Sequence, residues 1–255
     1  MGKNLATGPH VALGFIYNTM GRPESGIQEN LEALRLDPSN GLAYSNLTGA
    51  YQMVDHFENA RMALQEAQAR GVTMPLKVFF LYDMAFLRGD TQEMQRQFAA
   101  AMGQPGLEPG MLAFDADSEA YVCHLAKARE LSRRAVDSAM HEDGVEEAVG
   151  FAITEAMREA DFGNVSQARK EISDAWAMKG TKAHTAVEAL ALALAGEPQS
   201  ALALANDLAR QSPLDTMLND YWLPTIRGEV ELNRHHPAEA VTFLETTIPY
   251  ELGNP

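Results

Sequence analysis

Apolar and small residues fall three and four positions apart in short blocks along this chain, and glycine, proline or a short polar residue separates the blocks. That spacing predicts amphipathic helices, and the near absence of two-residue alternation argues against strands. The blocks come in pairs. Tyr44-x-x-Leu47-x-x-x-Tyr51 is followed by Ala60, Leu64 and Ala67, and one copy earlier stand Leu13, Gly14, Tyr17, Gly26, Ala33 and Pro38. Taking the turn inside each pair with the small residue five positions later gives Gly21/Gly26, Asp55/Ala60, Gly89/Met94, Cys123/Ala128, Gly163/Ala168, Gly196/Ala201 and His235/Ala240. Successive turns are 34, 34, 34, 40, 33 and 39 residues apart. Seven positions beyond the small residue an alanine recurs at Ala33, Ala67, Ala101, Ala135 and Ala175.

Small residues let paired helices approach closely, and ring-sized residues fill the space between neighbouring pairs. One pair cannot bury its apolar face alone, so the pattern implies a stack. The unit resembles the tetratricopeptide repeat, which places large, Leu, small and Tyr positions on helix A and small, ring and Ala positions on helix B. The resemblance implies an all-α fold, a right-handed α-solenoid of about seven helix pairs. Residues 1–7 are expected to form a flexible N-terminus, 8–140 four regular repeats, and 141–253 three divergent pairs of the same solenoid. The helices are placed at about 9–20 and from Pro23 to Asp37, then after Asn40 and at about 57–70. Those of the third and fourth pairs fall at about 75–88, 91–102, 110–122 and 125–140. Asp90 or Thr91 serves as an N-cap. The 40-residue spacing predicts a longer helix over about 144–161. Pro224, inside an apolar stretch, predicts a kink or break.

Composition narrows the function classes. One cysteine excludes an internal disulfide framework. No charged-then-apolar leader opens the sequence, and Val78–Leu87 and Ala189–Ala195 are too short to span a bilayer, so membrane insertion by this chain is not expected. A cytoplasmic location is the default. The net charge of −15 disfavours nucleic acid as a partner unless a basic face is segregated. Lys127, Arg129, Arg133 and Arg134 are the best candidates for such a face and read as a solvated helix surface pairing with Glu130.

Candidate chemistry fails on inspection. His141-Glu142-Asp143 lacks a second histidine at helical spacing, and His235-His236 are adjacent at a turn. Asp115-x-Asp117-x-Glu119 opens like a calcium loop, but Ala120 and Ala126 stand where glycine and glutamate are needed. Cys123 reads as a small residue near a turn, with no base placed to activate it. No phosphate-cradling loop, nucleophile elbow or Cys-x-x-Cys occurs. The chain is read as no enzyme, with no cofactor and no metal.

The runs Ala85-Phe86-Leu87-Arg88-Gly89-Asp90, Gly103-x-Pro105-Gly106-x-Glu108, Glu119-Ala120-Tyr121 and Lys127 through Val136 resemble a narrower group. So do Phe162-Gly163-Asn164, Tyr221-x-Leu223-Pro224-x-Ile226-Arg227 and Tyr250-Glu251-Leu252-Gly253. Together they resemble the tetratricopeptide region after the catalytic domain of acidobacterial-type serine/threonine kinases, also found after the winged-helix domain of related regulators. No kinase glycine loop, Val-Ala-x-Lys strand, His-Arg-Asp loop or Asp-Phe-Gly is present, so kinase activity is not carried over. Members of that group have further helices on both sides, so the resemblance implies a fragment of a larger signalling protein.

What the resemblance implies is an interaction scaffold or regulatory module that holds a peptide or protein partner, whose identity stays open. The alternative is a small-molecule sensor controlling an attached kinase or DNA-binding domain. In the repeat family, helices A line the concave groove. The matching positions here are Val11, Phe15 and Asn18, then Leu42, Gln52 and Met53, then Leu76, Phe79, Asp83, Phe86 and Leu87. Of the positions that clamp a terminal carboxylate in chaperone-binding relatives, only Asn46 fits. Val241, Phe243, Leu244 and Ile248 in the last pair lack a following pair to cover them, which opens self-association through a solenoid end.

Overall fold

Every turn residue selected by the spacing has left-handed backbone. Gly21, Asp55, Gly89, Cys123, Gly163, Gly196 and His235 have φ of 71°, 57°, 67°, 63°, 79°, 69° and 63°. The computed structural model describes residues 3–74, 76–179 and 185–253. At each of these turns two hydrogen bonds close the preceding helix in the same way. At Asp55, for example, the Asp55 N–H donates to the Gln52 carbonyl (3.1 Å) and the His56 N–H to the Tyr51 carbonyl (2.8 Å). At Gly163 the corresponding bonds run to Ala160 and Glu159 (2.9 and 2.8 Å), and at His235 to Leu232 and Glu231 (both 2.9 Å). These paired bonds satisfy carbonyls that a helix end would leave open, and they require a residue with positive φ. Two turns between pairs use the same geometry, at Gly71 (φ 67°) and Asp143 (φ 59°). Asp143 was not foreseen, because aspartate marks such a turn less clearly than glycine does.

The described residues form fourteen α-helices and no strand. They are α1 Lys3–Thr19, α2 Pro23–Leu36, α3 Gly41–Met53, α4 Phe57–Ala69, α5 Lys77–Leu87, α6 Thr91–Ala101 and α7 Glu108–Tyr121. Then follow α8 Leu125–His141, α9 Val145–Asp161, α10 Val165–Lys179, α11 Ala186–Leu194, α12 Pro198–Gln211, α13 Leu223–Asn233 and α14 Pro237–Leu244. Four of them, α2, α7, α12 and α14, open on proline in the first turn, where the missing N–H has no helical partner to lose. Asn40 caps α3 by accepting from the Ala43 N–H at 2.9 Å, and Asp90 rather than Thr91 caps α6 by accepting from the Glu93 N–H at 3.0 Å. The first helix begins at Lys3, six residues before the expected start, and contains Pro9. α9 is the long helix expected from the 40-residue spacing.

The expected irregularity at Pro224 is a π-helical turn, Leu218–Trp222, entering α13. Pro224 has no N–H for the carbonyl four residues back, and the ladder widens just before it, with the Leu223 N–H reaching the Leu218 carbonyl.

The chain forms two compact units, residues 1–100 with 249–255 and residues 101–248. The expected division at residue 140 follows repeat regularity, which is a separate criterion. In the first unit α1 packs on α2, α2 on α3 and α3 on α4, while α1 also meets α3 and α3 meets α5. Its core joins Tyr44, Leu47, Ala60, Ala63, Leu64, Ala67, Met74 and Met84. The segment at Tyr250–Gly253 belongs to this unit. A Cβ on Gly21 would lie 3.0 Å from the Tyr250 Cα, and one on Gly253 would lie 2.6 Å from the Thr19 carbonyl oxygen.

In the second unit α7 packs on α8, α9 on α10, α11 on α12 and α13 on α14, and α9, α11 and α13 meet in succession. Its core runs from Val149 and Ile153 through Ile172, Leu192 and Ile226 to Val230. In the last pair Val241 and Ile248 are exposed as expected, whereas Phe243 and Leu244 are half-buried. Leu244 lies against α13, close enough that a Cβ on Gly228 would sit 3.1 Å from its Cγ.

The small-residue rule holds where it was drawn. Ala60, Ala128, Ala168, Ala201 and Ala240 are fully buried, as are Ala33, Ala101, Ala135 and Ala175, with Ala67 at 1% exposure. Met94 is the large exception and is half-buried. Ala60→Leu should therefore overpack the α3–α4 pair and lower stability by about 1–3 kcal/mol. Ala69→Leu, on an exposed position of the same helix, should stay within about 0.5 kcal/mol in denaturant titration.

Cys123→Gly should act in the opposite direction. An L-residue in the left-handed region costs roughly 1–2 kcal/mol, and the added freedom of glycine in the unfolded chain returns part of that. Cys123 is exposed, so no packing is lost. The substitution should raise stability by about 0.5–1 kcal/mol, read as a higher thermal midpoint.

Candidate functional site

All eleven groove positions expected from the repeat lie in the first unit, on α1, α3 and α5 or at their edges. They divide into three groups. Phe15, Leu42, Leu76 and Leu87 are exposed, at 61%, 63%, 49% and 60%. Val11, Met53, Phe79, Asp83 and Phe86 are half-buried.

Asn18 and Gln52 form the third group, and their chemistry is structural. The Asn18 Nδ2 donates to the Asn46 carbonyl at 2.9 Å, tying α1 to α3. The Gln52 Nε2 donates to the Phe80 carbonyl at 3.4 Å, tying α3 to α5. Donors 18 and 52 are 34 residues apart, and so are acceptors 46 and 80, so one bond repeats with the repeat itself. Asn46 adds a return bond, its Nδ2 donating to the Val11 carbonyl at 3.2 Å. The one residue matching a carboxylate clamp is thereby committed to holding α3 against α1. The Asn18 Oδ1 is buried without a hydrogen-bond partner and sits where a Cβ on Gly26 would be, 1.9 Å from that position. Glycine at 26 is thus matched to the amide at 18.

Asp83 is the charged member of the groove set. It sits one turn from Phe79 and three residues before Phe86, so the two rings and the carboxylate share a helical face. Burial pushes its carboxyl up to about 6, because little water solvates the charged form. A 420 Å³ cavity in the same unit, lined by Leu31, Tyr44, Tyr51, Met62 and Arg70 among others, contains none of the groove positions.

Several of the residues considered for metal or catalytic work are engaged in separate local contacts. Glu142 accepts from the Gly106 N–H at 2.8 Å, His124 bonds Glu119 at 2.7 Å, and His236 bonds Glu231 at 2.8 Å. Asp117 pairs with Arg158. Each basic residue of the α8 surface has an acidic partner. Lys127 and Arg134 pair with Glu130, Arg133 pairs with Asp137, and Arg129 reaches across to Glu159.

That last contact leads to a group that motif reading passed over. Glu155, Glu159 and Glu171, from α9 and α10, bring carboxylate oxygens within 4.8 Å of one another, and the first two are buried. Glu155 and Glu159 are four residues apart, a spacing that puts both on one helix face. Nothing in the sequence shows that α10 turns Glu171 toward them.

No helix among the described residues is long and apolar enough to cross a membrane. No protein-family model matches the chain, and no curated protein matches it.

The half-buried carboxylate yields a pH dependence with a definite sign. Asp83 binds its proton more tightly folded than unfolded, so it costs stability as pH rises from about 4 through about 6. Asp83→Asn removes that cost. The variant should gain on the order of 1 kcal/mol over the parent at pH 8, after allowance for solvent screening, and should gain little at pH 4. Urea titrations at both values read the difference.

Proposed function

We propose that this chain is a tetratricopeptide-type interaction module, its fourteen helices forming about seven pairs of a right-handed α-solenoid. On this reading the module holds a peptide or protein partner against the A helices of the first unit and performs no catalysis. The observation that carries it is the apolar groove set. Phe15, Leu42, Leu76 and Leu87 stay exposed while Phe79 and Phe86 flank a half-buried carboxylate. Exposed apolar side chains at that density suit the anchors of an extended or helical peptide. Asp83 adds a selective element, since a lysine or arginine of the partner would favour its charged form. The preferred partner segment therefore has a basic residue between apolar ones. The repeated amide-to-carbonyl bonds hold the A helices in register and so keep the anchors in a fixed row.

The sequence resemblance to regions that follow kinase and winged-helix domains supports reading this module as part of a bacterial signalling protein, in which partner capture would regulate an attached domain. Exposed Val241 and Ile248 support self-association as a secondary property. The sensor reading is favoured by one observation in the second unit, the cavity beside Glu155 and Glu171.

Selection from a displayed random-peptide library is the direct test. Enriched peptides should share a basic residue flanked by apolar ones and should bind more tightly at pH 7 than at pH 5. Phe79→Ala combined with Phe86→Ala should abolish binding while circular dichroism stays helical. Both rings are half-buried, so the pair Phe15→Ala and Leu87→Ala, at exposed positions, separates binding from stability. It should weaken binding at least about tenfold with little change in the thermal midpoint. Peptides that bind both double variants like the parent would remove the groove from consideration.

A further inference from the structure

The hydrogen bonds around Glu155, Glu159 and Glu171 account for all but two of the oxygens that are buried there. Arg129 holds Glu159 with two guanidinium nitrogens, and the Asn164 Nδ2 donates to the Glu159 Oε2 at 2.7 Å. The Ser132 Oγ donates to the Glu155 Oε2 at 2.6 Å, and Arg158 reaches the same oxygen. The Gln167 Nε2 donates to the Glu171 Oε1 at 2.7 Å. What remains is the Glu155 Oε1 and the Glu171 Oε2, both buried and both without a hydrogen-bond partner. Glu155 is only 6% exposed. Two orphaned carboxylate oxygens in one buried cluster are costly, and such groups in native proteins normally have a partner.

A cavity of about 400 Å³ lies beside them, lined by Ser132, Val136, Ala152, Glu155, Glu171 and Met178, with Arg129 and Lys170 among its charged neighbours. Val136, Ala152 and Met178 supply an apolar stretch of its otherwise polar lining, and its volume suits a small organic ligand. Lys170 is paired with Asp174 at 2.6 Å, and Arg133 with Asp137, so neither supplies a free charge.

We propose that this cavity between α8, α9 and α10 binds a small aliphatic amine, its ammonium group seated on the Glu155 Oε1 and Glu171 Oε2 and its alkyl chain against Val136, Ala152 and Met178. Donor count decides between an ammonium and a metal. Calcium takes six to eight oxygens, and here only two are open, with the Glu159 oxygens held by Arg129 and Asn164. An ammonium brings N–H donors for both open oxygens and needs no further protein ligand. The apolar wall then gives the alkyl chain a place that a bare ion would leave unused.

The surroundings also predict how binding responds to pH. Glu171 faces Glu155, Glu159 and Arg129, with Gln167, Lys170 and Asp174 around the rim. Burial, added to repulsion from the two glutamates, pushes its carboxyl up to about 7. Binding a cation requires the ionised form, so affinity should rise between pH 6 and pH 8 and release a proton in that window.

The experiment is calorimetric titration of the full chain at pH 7.5 with n-pentylammonium chloride, alongside 1-pentanol and calcium chloride. The expected result is a dissociation constant below about 1 mM for the amine and no saturable binding of the alcohol or calcium. Glu171→Gln and Glu155→Gln should each weaken the amine at least about tenfold, and Glu130→Gln, on the exposed face of α8, should leave it unchanged. Absence of amine binding by the parent chain would overturn the proposal and leave a proton shared by Glu155 and Glu171. Binding of pentanol as tightly as the amine would reduce the cavity to an apolar one. Calcium binding in place of the amine would make it a metal site. These three arms use the parent chain, so they decide the matter even if a variant fails to fold. None depends on the groove of the first unit.

Discussion

Close approach of paired helices is the constraint from which the rest of this structure follows. Two helices pack at short distance only where one of them presents little beyond Cβ. Here that condition recurs at Ala60, Ala128, Ala168, Ala201 and Ala240, each with no exposed surface. A residue of any size at those points would separate the pair and open the apolar seam behind it. Gly26 meets the same condition more strictly, because the Asn18 amide occupies the space an alanine methyl would need. The approach distance is held at the other end by the left-handed turns, which reverse the chain in the fewest residues while satisfying the helix-end carbonyls. In every pair but the third, where Met94 stands, a small buried contact residue lies five residues beyond the turn. Helix length can then vary, as α9 shows, without loss of packing.

Once the pairs are set, the A helices are fixed by polar bonds. In the first unit the Asn18-to-Asn46 and Gln52-to-Phe80 bonds span successive A helices at the same repeat positions. Position 86 completes that series in sequence, but phenylalanine there has no amide to donate. The same repeat position therefore fixes the helices in two copies and presents a ring in the third. This division of labour explains why a position-based reading of the groove mixes residues of two kinds. Phe15, Leu42, Leu76 and Leu87 are exposed, while Asn18 and Gln52 are engaged in bonds between helices.

Much of the helical layout was legible because its signals are local. Glycine, proline and small residues at constant spacing report turns and contact points whatever surrounds them, and the helix ends follow within a few residues. α1 begins at Lys3, ahead of the expected start, and carries Pro9 inside it, a residue that ordinarily disfavours a helical turn ahead of it. The break before Pro224 was expected, but its π-helical form depends on how the ladder re-forms around the missing donor, which is not a local signal. The acidic cluster was illegible for a related reason. Glu155 and Glu159 can be placed on one face from their spacing, yet Glu171, Ser132 and Arg129 come from two other helices. Motif searches look for ligands close in sequence and pass over a group assembled by packing.

Asp83 and Glu171 belong to different units and share an energetic situation. Each is a carboxylate whose folded form holds its proton more tightly than the unfolded chain does, Asp83 up to about 6 and Glu171 up to about 7. Stability contributed by the protonated form is present at low pH and is lost as pH rises through those values. Near neutrality both are a cost, and a glutamine or asparagine of the same shape would avoid it. A cation placed against either group offsets the burial of its charge, so what the free protein loses in stability becomes affinity for a positively charged ligand. The two sites would nonetheless select different ligands. Asp83 shares a half-buried helical face with Phe79 and Phe86, whereas Glu171 lines a cavity of about 400 Å³.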